Sequence, residues 1–237
     1  LSMEDMERYG DYNEFEDDVP KRRRGGFLRV LQILVALVCL ATAGVIGYRL
    51  YLFDYYPAPI RQLVFTERLT ALYREVGNEG LGVRTQKLRF PYDDNDKGNF
   101  FCDHLYVISA AGELQISVRY NESALADVAA RYGFETLSPS DDLFTFRITD
   151  NVGRDYGAPV YVACDSYAMY HYYKLAFDGI EFDTPSDGGE APAWIRLEIF
   201  VKGATEEGAY SYVAIYENNE DYAKFSEYKP SRKELPS

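Results

Sequence analysis

A chain of 237 residues with a formal net charge of -13 has room for one ordinary domain once a tail and a membrane span are set aside. Beyond the apolar stretch described below, roughly 30 acids face about 18 bases, which excludes a nucleic-acid footprint and adhesion to anionic surfaces. Two His, three Met and three scattered Cys leave little material for metal or redox chemistry, whereas 22 Tyr and 14 Phe favour strands.

The first twenty residues set eight acids against the single Arg8 and show no apolar periodicity, so a solvated, disordered tail is expected. Leu1 precedes Met3, so a start at Met3 or at an alternative start codon is expected. The basic cluster Lys21, Arg22, Arg23 and Arg24 follows, and then an apolar run from Val30 to Tyr48 in which Gln32 is the one strongly polar side chain. That run is close to the roughly 20 residues a helix needs to cross a bilayer. Bases are retained in the cytoplasm, so the cluster sets an N-inside orientation with the remainder exported to the cell envelope. Tyr48, Tyr51, Phe53, Tyr55 and Tyr56 read as an aromatic belt at the outer boundary. A cleaved signal peptide is the rival, since Ala41-Thr42-Ala43 has a cleavage-site form; the continuing apolar run and the long leader favour an anchor. Leu37-Val38 before Cys39 lack the small residues of a lipidation site. Cys39, Ala43 and Gly47 recur every fourth residue, a stripe that permits close helix packing but is also common in spans.

After Pro57-Ala58-Pro59, apolar residues from Ile60 to Val76 recur at helical spacing, with Pro59 suited to a first turn and Gly77-Asn78 to a stop. This juxtamembrane amphipathic helix is expected to pack on the domain. From Gly82 the period becomes that of strands. Val83 to Phe90, Phe101 to Ser109 and Glu113 to Tyr120 read as strands, the last two joined by Ala110-Ala111-Gly112. Ser123 is the expected cap of a helix from Ala124 to Tyr132, stopped by Gly133. Further strands are expected at Leu143 to Thr149, Ala158 to Cys164, Tyr170 to Phe177, Ile180 to Phe182, Trp194 to Val201 and Tyr210 to Tyr216. A charged, mobile tail is expected from about Asp221 to Ser237.

Candidate chemistry is sparse. Asp93 to Asn99 resembles a calcium loop in part, but Lys97 replaces an oxygen ligand and His104 stands where a bidentate Glu is needed; it reads as a solvated turn. The acidic stretch Asp183 to Glu190 reads the same way. Cys102 and Cys164 either bridge, adding about 4 kcal/mol by closing a loop of about sixty residues, or stay as two separate thiols. His104 follows Cys102 by two residues and is expected on the same strand face, with no orienting acid identifiable. Tyr170 and Tyr172, beside His171, are candidate contacts for a glycan, peptide or partner, against the plainer reading as cross-strand packing. Asn121-Glu122-Ser123 is a formal glycosylation acceptor, meaningful only in a secretory-pathway host. No hydrolase, zinc, P-loop or dinucleotide signature occurs, so no catalytic residue, metal or cofactor is expected.

The segment Phe144-x-Phe146-x-Ile148-Thr149-Asp150-Asn151-x-Gly153-x-x-Tyr156 resembles the central hairpin of bacterial immunoglobulin-like domains on single-pass envelope proteins. The resemblance covers this hairpin and the general strand order, and implies binding or assembly with no catalytic residues; the helix after Ser123 departs from a plain sandwich. The expected plan is therefore mainly β: a tail over 1–26, a transmembrane helix with flanks over 27–53, a juxtamembrane helix and linker over 54–81, an immunoglobulin-like β-sandwich with one inserted helix over 82–220, and a charged tail over 221–237. The expected function is a membrane-anchored interaction or assembly module whose partners are the membrane and another envelope protein. A glycan- or peptide-binding sensory domain is the alternative, and a divergent enzyme a more distant one.

Overall fold

The computed structural model describes residues 25–88, 99–135, 137–139, 142–182, 190–204, 208–217 and 225–236. The basic cluster Lys21 to Arg24, the calcium-like stretch from Asp93 to Gly98 and most of the acidic stretch after Asp183 lie outside them. The chain divides into two compact units, Leu1–Asp54 and Tyr55–Ser237.

The first unit contains helix α1, Gly25–Asp54. Its 29 residues Gly26–Asp54 are long and apolar enough to cross a membrane, about 44 Å at 1.5 Å per residue against a hydrocarbon core of about 30 Å. Cys39, Ala43 and Gly47 lie within it, exposed along one face by their spacing. Thr42 returns its hydroxyl to the Val38 carbonyl at 2.8 Å, so the polar group is satisfied inside the helix.

The second unit opens with the short helix α2, Ala58–Arg61, and continues to α3, Glu67–Gly80. The sequence period suggests one helix from Ile60 to Val76, but residues 62–66 are non-helical between the two. Side chains of the sheet below take up the backbone groups that a helix would have paired internally. Thr66 starts α3 by accepting from the Leu69 N–H at 3.1 Å, and Gly77, at φ 69°, kinks it before Gly80.

Among the described residues nine strands follow: β1 Arg84–Gln86, β2 Phe100–Ile108, β3 Glu113–Asn121, β4 Phe144–Asp150, β5 Tyr161–Tyr167, β6 Tyr170–Phe177, β7 Trp194–Val201, β8 Ser211–Glu217 and β9 Ser226–Glu227. Helix α4, Glu122–Tyr132, stands between β3 and β4; its cap is Asn121, which accepts from the Ala124 N–H, in place of the expected Ser123, and Gly133 ends it in a left-handed conformation. The strands form two antiparallel sheets, ordered β5-β6-β3-β2-β1-β9 and β4-β7-β8. Their inner faces share one core: Leu114, Ile116, Val118, Leu175 and Phe177 from the large sheet meet Phe144, Phe146, Ile148, Leu197, Ile199, Val213 and Ile215 from the small one. Ala124, Leu125 and Val128 of α4 join the same core.

Several expectations are corrected here. Residues 180–182 form no strand; Ile180 instead donates to the Gly112 carbonyl at 3.0 Å beneath the β2–β3 turn. The C-terminal segment is part of the fold over 225–236: β9 pairs with β1, and the Tyr228 ring meets Tyr106 at 4.9 Å. For Cys102 and Cys164, read above as either a bridge or two separate thiols, the structure has no bridge. Cys102 pairs with Val118, Val118 with Tyr173 and Tyr173 with Cys164, so one rung of the sheet separates them by three strand spacings. That is roughly 14 Å, twice the reach of a disulfide.

Candidate interaction site: the strap and the polar face of the large sheet

On the outer face of the large sheet, β3 presents Glu113, Gln115, Ser117 and Arg119 in alternation, and all four are buried. The alternation Glu-Leu-Gln-Ile-Ser-Val-Arg-Tyr would ordinarily describe a strand with one wet face. Here residues 55–66, which we term the strap, lie across that face.

The sheet holds the strap through its backbone. The Gln115 amide accepts from Val64 N–H at 2.9 Å and donates to Val64 C=O at 2.6 Å, as a neighbouring strand would. It also donates to Glu113 at 2.7 Å. The Ser117 hydroxyl donates to the Ile60 carbonyl at 2.6 Å, and Tyr106 to the Arg61 carbonyl at 2.7 Å. The Thr66 hydroxyl donates to Glu113 at 2.6 Å while capping α3, tying the helix start to the sheet. Leu63 N–H reaches the Glu234 carboxylate of the C-terminal segment, which also accepts from Tyr228 at 2.5 Å.

Apolar contacts complete the seat. Ile60 is fully buried with Tyr56 and Tyr172, and Leu63 and Leu69 join Leu81, Val83, Tyr106, Ile108 and Ala111. The Arg119 guanidinium lies 4.4 Å from the Tyr170 ring, 4.8 Å from Phe101 and 5.5 Å from Tyr56. Tyr172 is therefore closed to a ligand: it is 1 % exposed and donates to the Tyr55 carbonyl at 3.2 Å. Tyr170 is half-buried and engaged with Arg119. Two aromatics of the expected belt also belong to this seat: Tyr56 is buried, and the Tyr55 ring meets Tyr167 at 4.5 Å.

Lys174 is the strongest electrostatic feature. Its side chain is wholly buried, its ammonium has no hydrogen-bond partner among the described residues, and it sits 4.5 Å from the centre of the Tyr106 ring. Burial pulls its pKa down to about 7, against the opposing pull of Glu113 and Glu234. Burial also raises the Glu113 carboxyl, opposed by hydrogen bonds from Thr66 and Gln115, and pushes Tyr106 up to about 12.

The two histidines are separate from one another. A bulge between Asp103 and Tyr106 breaks the alternation of β2, so His104, at φ 30°, rests against Tyr56 on the strap side. Cys102 belongs to the inner core, and the two do not share a face as their spacing suggests. His104 Nδ1 lies 3.0 Å from Asp103. His171 meets its cross-strand partner Ser166 at 2.8 Å beside a cavity of about 40 Å³, room for a water or so. Burial lowers the His171 pKa. A larger open groove, about 690 Å³, is lined by Phe65, Thr66, Glu67, Arg68, Val160, Tyr161 and Asp178, and contains no nucleophile–base pair. Among the described residues no cluster of His, Cys, Asp and Glu could hold a metal ion.

Sequence reasoning passed over Glu113, Gln115, Ser117 and Lys174. The available signal was an uninterrupted polar file on a strand otherwise as apolar as a core strand, downstream of an amphipathic segment needing a surface to cover. No family model matches the chain, and no significant match exists among curated proteins or solved structures.

Proposed function

We propose that the chain is a single-pass membrane protein of the cell envelope, with a cytoplasmic N-terminus and an exported domain that serves as an interaction or assembly module without catalysis. The observation that carries this reading is the β5–β6 hairpin at the end of the large sheet. There Val160, Val162, Tyr167 and Met169 stand exposed within ten residues, at 53 %, 46 %, 40 % and 41 %. A terminal strand with an apolar fringe suits contact with a second protein through strand addition or side-chain packing.

The strand order supports an immunoglobulin-like architecture for the module. Taking β2 to β8 as A to G, the large sheet runs D-E-B-A and the small one C-F-G, the constant-type arrangement. Helix α4 then occupies the B–C connection, and β1 and β9 extend the sheet beyond A. No cysteine pair joins the B and F strands and no tryptophan stands on C, so the likeness to bacterial envelope domains rests on topology and anchor.

The test is photo-crosslinking in the native host, with a photoreactive residue at Val162 or Tyr167 and a control at exposed Val152. Discrete products from the hairpin alone, lost on a Val162→Asp change, are expected. Products that instead depend on the identity of the apolar helix would move recognition into the span, and products from no site would overturn the proposal.

A further inference from the structure

We propose that the strap, residues 55–66, is a releasable element whose seating on the large sheet is governed by the charge of Lys174. This goes beyond the interaction reading and does not depend on it. The seat mixes two kinds of contact: residues 55–66, helix α2 included, are held by side-chain bonds to their backbone over a face carrying Glu113, Gln115, Ser117 and Lys174, and by the buried Ile60 and Leu63. The polar groups of that face lose little when wetted, because each can be hydrated, so the cost of lifting the strap lies in exposing Ile60 and Leu63. The exception is Lys174, whose buried ammonium has no acceptor among the described residues while the strap is seated. Ser117, its register partner on β3, holds the Ile60 carbonyl, and Tyr106, the ring beside it, holds the Arg61 carbonyl. Lifting those two contacts opens the amine to solvent.

The groups facing Lys174 leave it the one without a fixed partner. From β2 comes Tyr106; from β3, Glu113, committed to Thr66 and Gln115; from the C-terminal segment, Glu234 and Tyr228, committed to each other. Its partner on β5 is Ala163, and Arg61 is the one charged side chain between Pro57 and Thr66. The depressed Lys174 pKa of about 7 agrees in direction with this geometry. The group is harder to protonate when seated than when free, so the seated state gains as pH rises from about 7 towards the ordinary lysine value near 10.5. Below pH 7 the amine is charged in both states and seating is weakest. Glu113, raised by burial, acts with the opposite sign, losing seating as pH rises through its own value.

The test is hydrogen exchange of residues 57–66 in the full chain in detergent micelles, from pH 6 to 10 and corrected for intrinsic rates. Protection at Leu63 and Val64 is expected to rise by up to about tenfold per pH unit above pH 7. Lys174→Met should give high protection with no slope, Lys174→Arg low protection throughout, and Glu113→Gln should keep the wild-type slope. Wild-type protection independent of pH, or a slope retained in Lys174→Met or lost in Glu113→Gln, overturns the proposal. Should Lys174→Met not fold, titration of the lysine ¹³Cε signals in the wild-type chain decides. A Lys174 titrating well below the surface lysines supports the switch, and one titrating with them overturns it.

Discussion

Replacing Gln115 with Leu tests whether the strap is held by side-chain recognition of its backbone. Leucine keeps the volume but removes an amide that serves Val64 N–H, Val64 C=O and one oxygen of Glu113. Each buried group left unpaired costs about 1–3 kcal/mol. Val64 is half-buried and recovers part of this from water, whereas the Glu113 oxygen lies fully buried. With water reducing each Val64 group to about 0.5 kcal/mol and the Glu113 oxygen at about 2 kcal/mol, the loss sums to about 3 kcal/mol. For a unit of this size that corresponds to roughly 6–12 °C in Tm. The assay is thermal unfolding of the detergent-solubilised chain followed by near-UV circular dichroism, with hydrogen exchange of residues 57–66 alongside. The expected outcome is a lower Tm with strap protection lost before that of β3 and β6. A loss under about 1 kcal/mol with unchanged strap protection would refute the reasoning, since the amide would then be dispensable.

Three further outcomes follow from the same geometry. Gly112 has φ +58°, and a Cβ there would come within 2.9 Å of the Ile180 carbonyl, so Gly112→Ala should cost about 2 kcal/mol in denaturant unfolding. Burial pushes the Asp150 carboxyl up, but hydrogen bonds from Arg154, Tyr156 and Val152 more than offset this and leave it lowered. Its stabilisation is therefore present above the ordinary carboxylate value and lost as pH falls through the folded one, so Asp150→Asn should unfold more readily at neutral pH and flatten the acid limb of the stability profile. Thiol labelling of the unfolded, unreduced chain should find Cys102 and Cys164 both reactive, and reductant should leave Tm unchanged, where a bridge would have contributed about 4 kcal/mol.

The elements were largely legible because they rest on local chemistry. The apolar run set α1, alternation marked β2 to β8, Gly133 ended α4, and Ala110-Ala111-Gly112 turned the chain between β2 and β3. The misreadings came where distant groups compete with local preference. Residues 62–66 have an amphipathic helical pattern, yet their backbone pairs with Gln115 some fifty positions away. His104 and Cys102 have same-face spacing, which the bulge cancels. Ile180 to Phe182 have strand-like composition but lie beyond the end of β6 without a neighbour in register.

By itself, then, the sequence determined most of the helices and strands, and that one helix can cross a membrane, because hydrophobic period, turn residues and length act within ten or twenty residues. Only the tertiary structure decided which polar face stays wet. The file Glu113, Gln115, Ser117 and Arg119 has the pattern of a solvent-facing strand, and Lys174 is ordinarily a surface residue. Both are buried because the strap and the C-terminal segment, separated from them by roughly fifty to a hundred and twenty residues, supply partners or cover at that place. Alternation records that two faces differ; it carries no information about what lies on either.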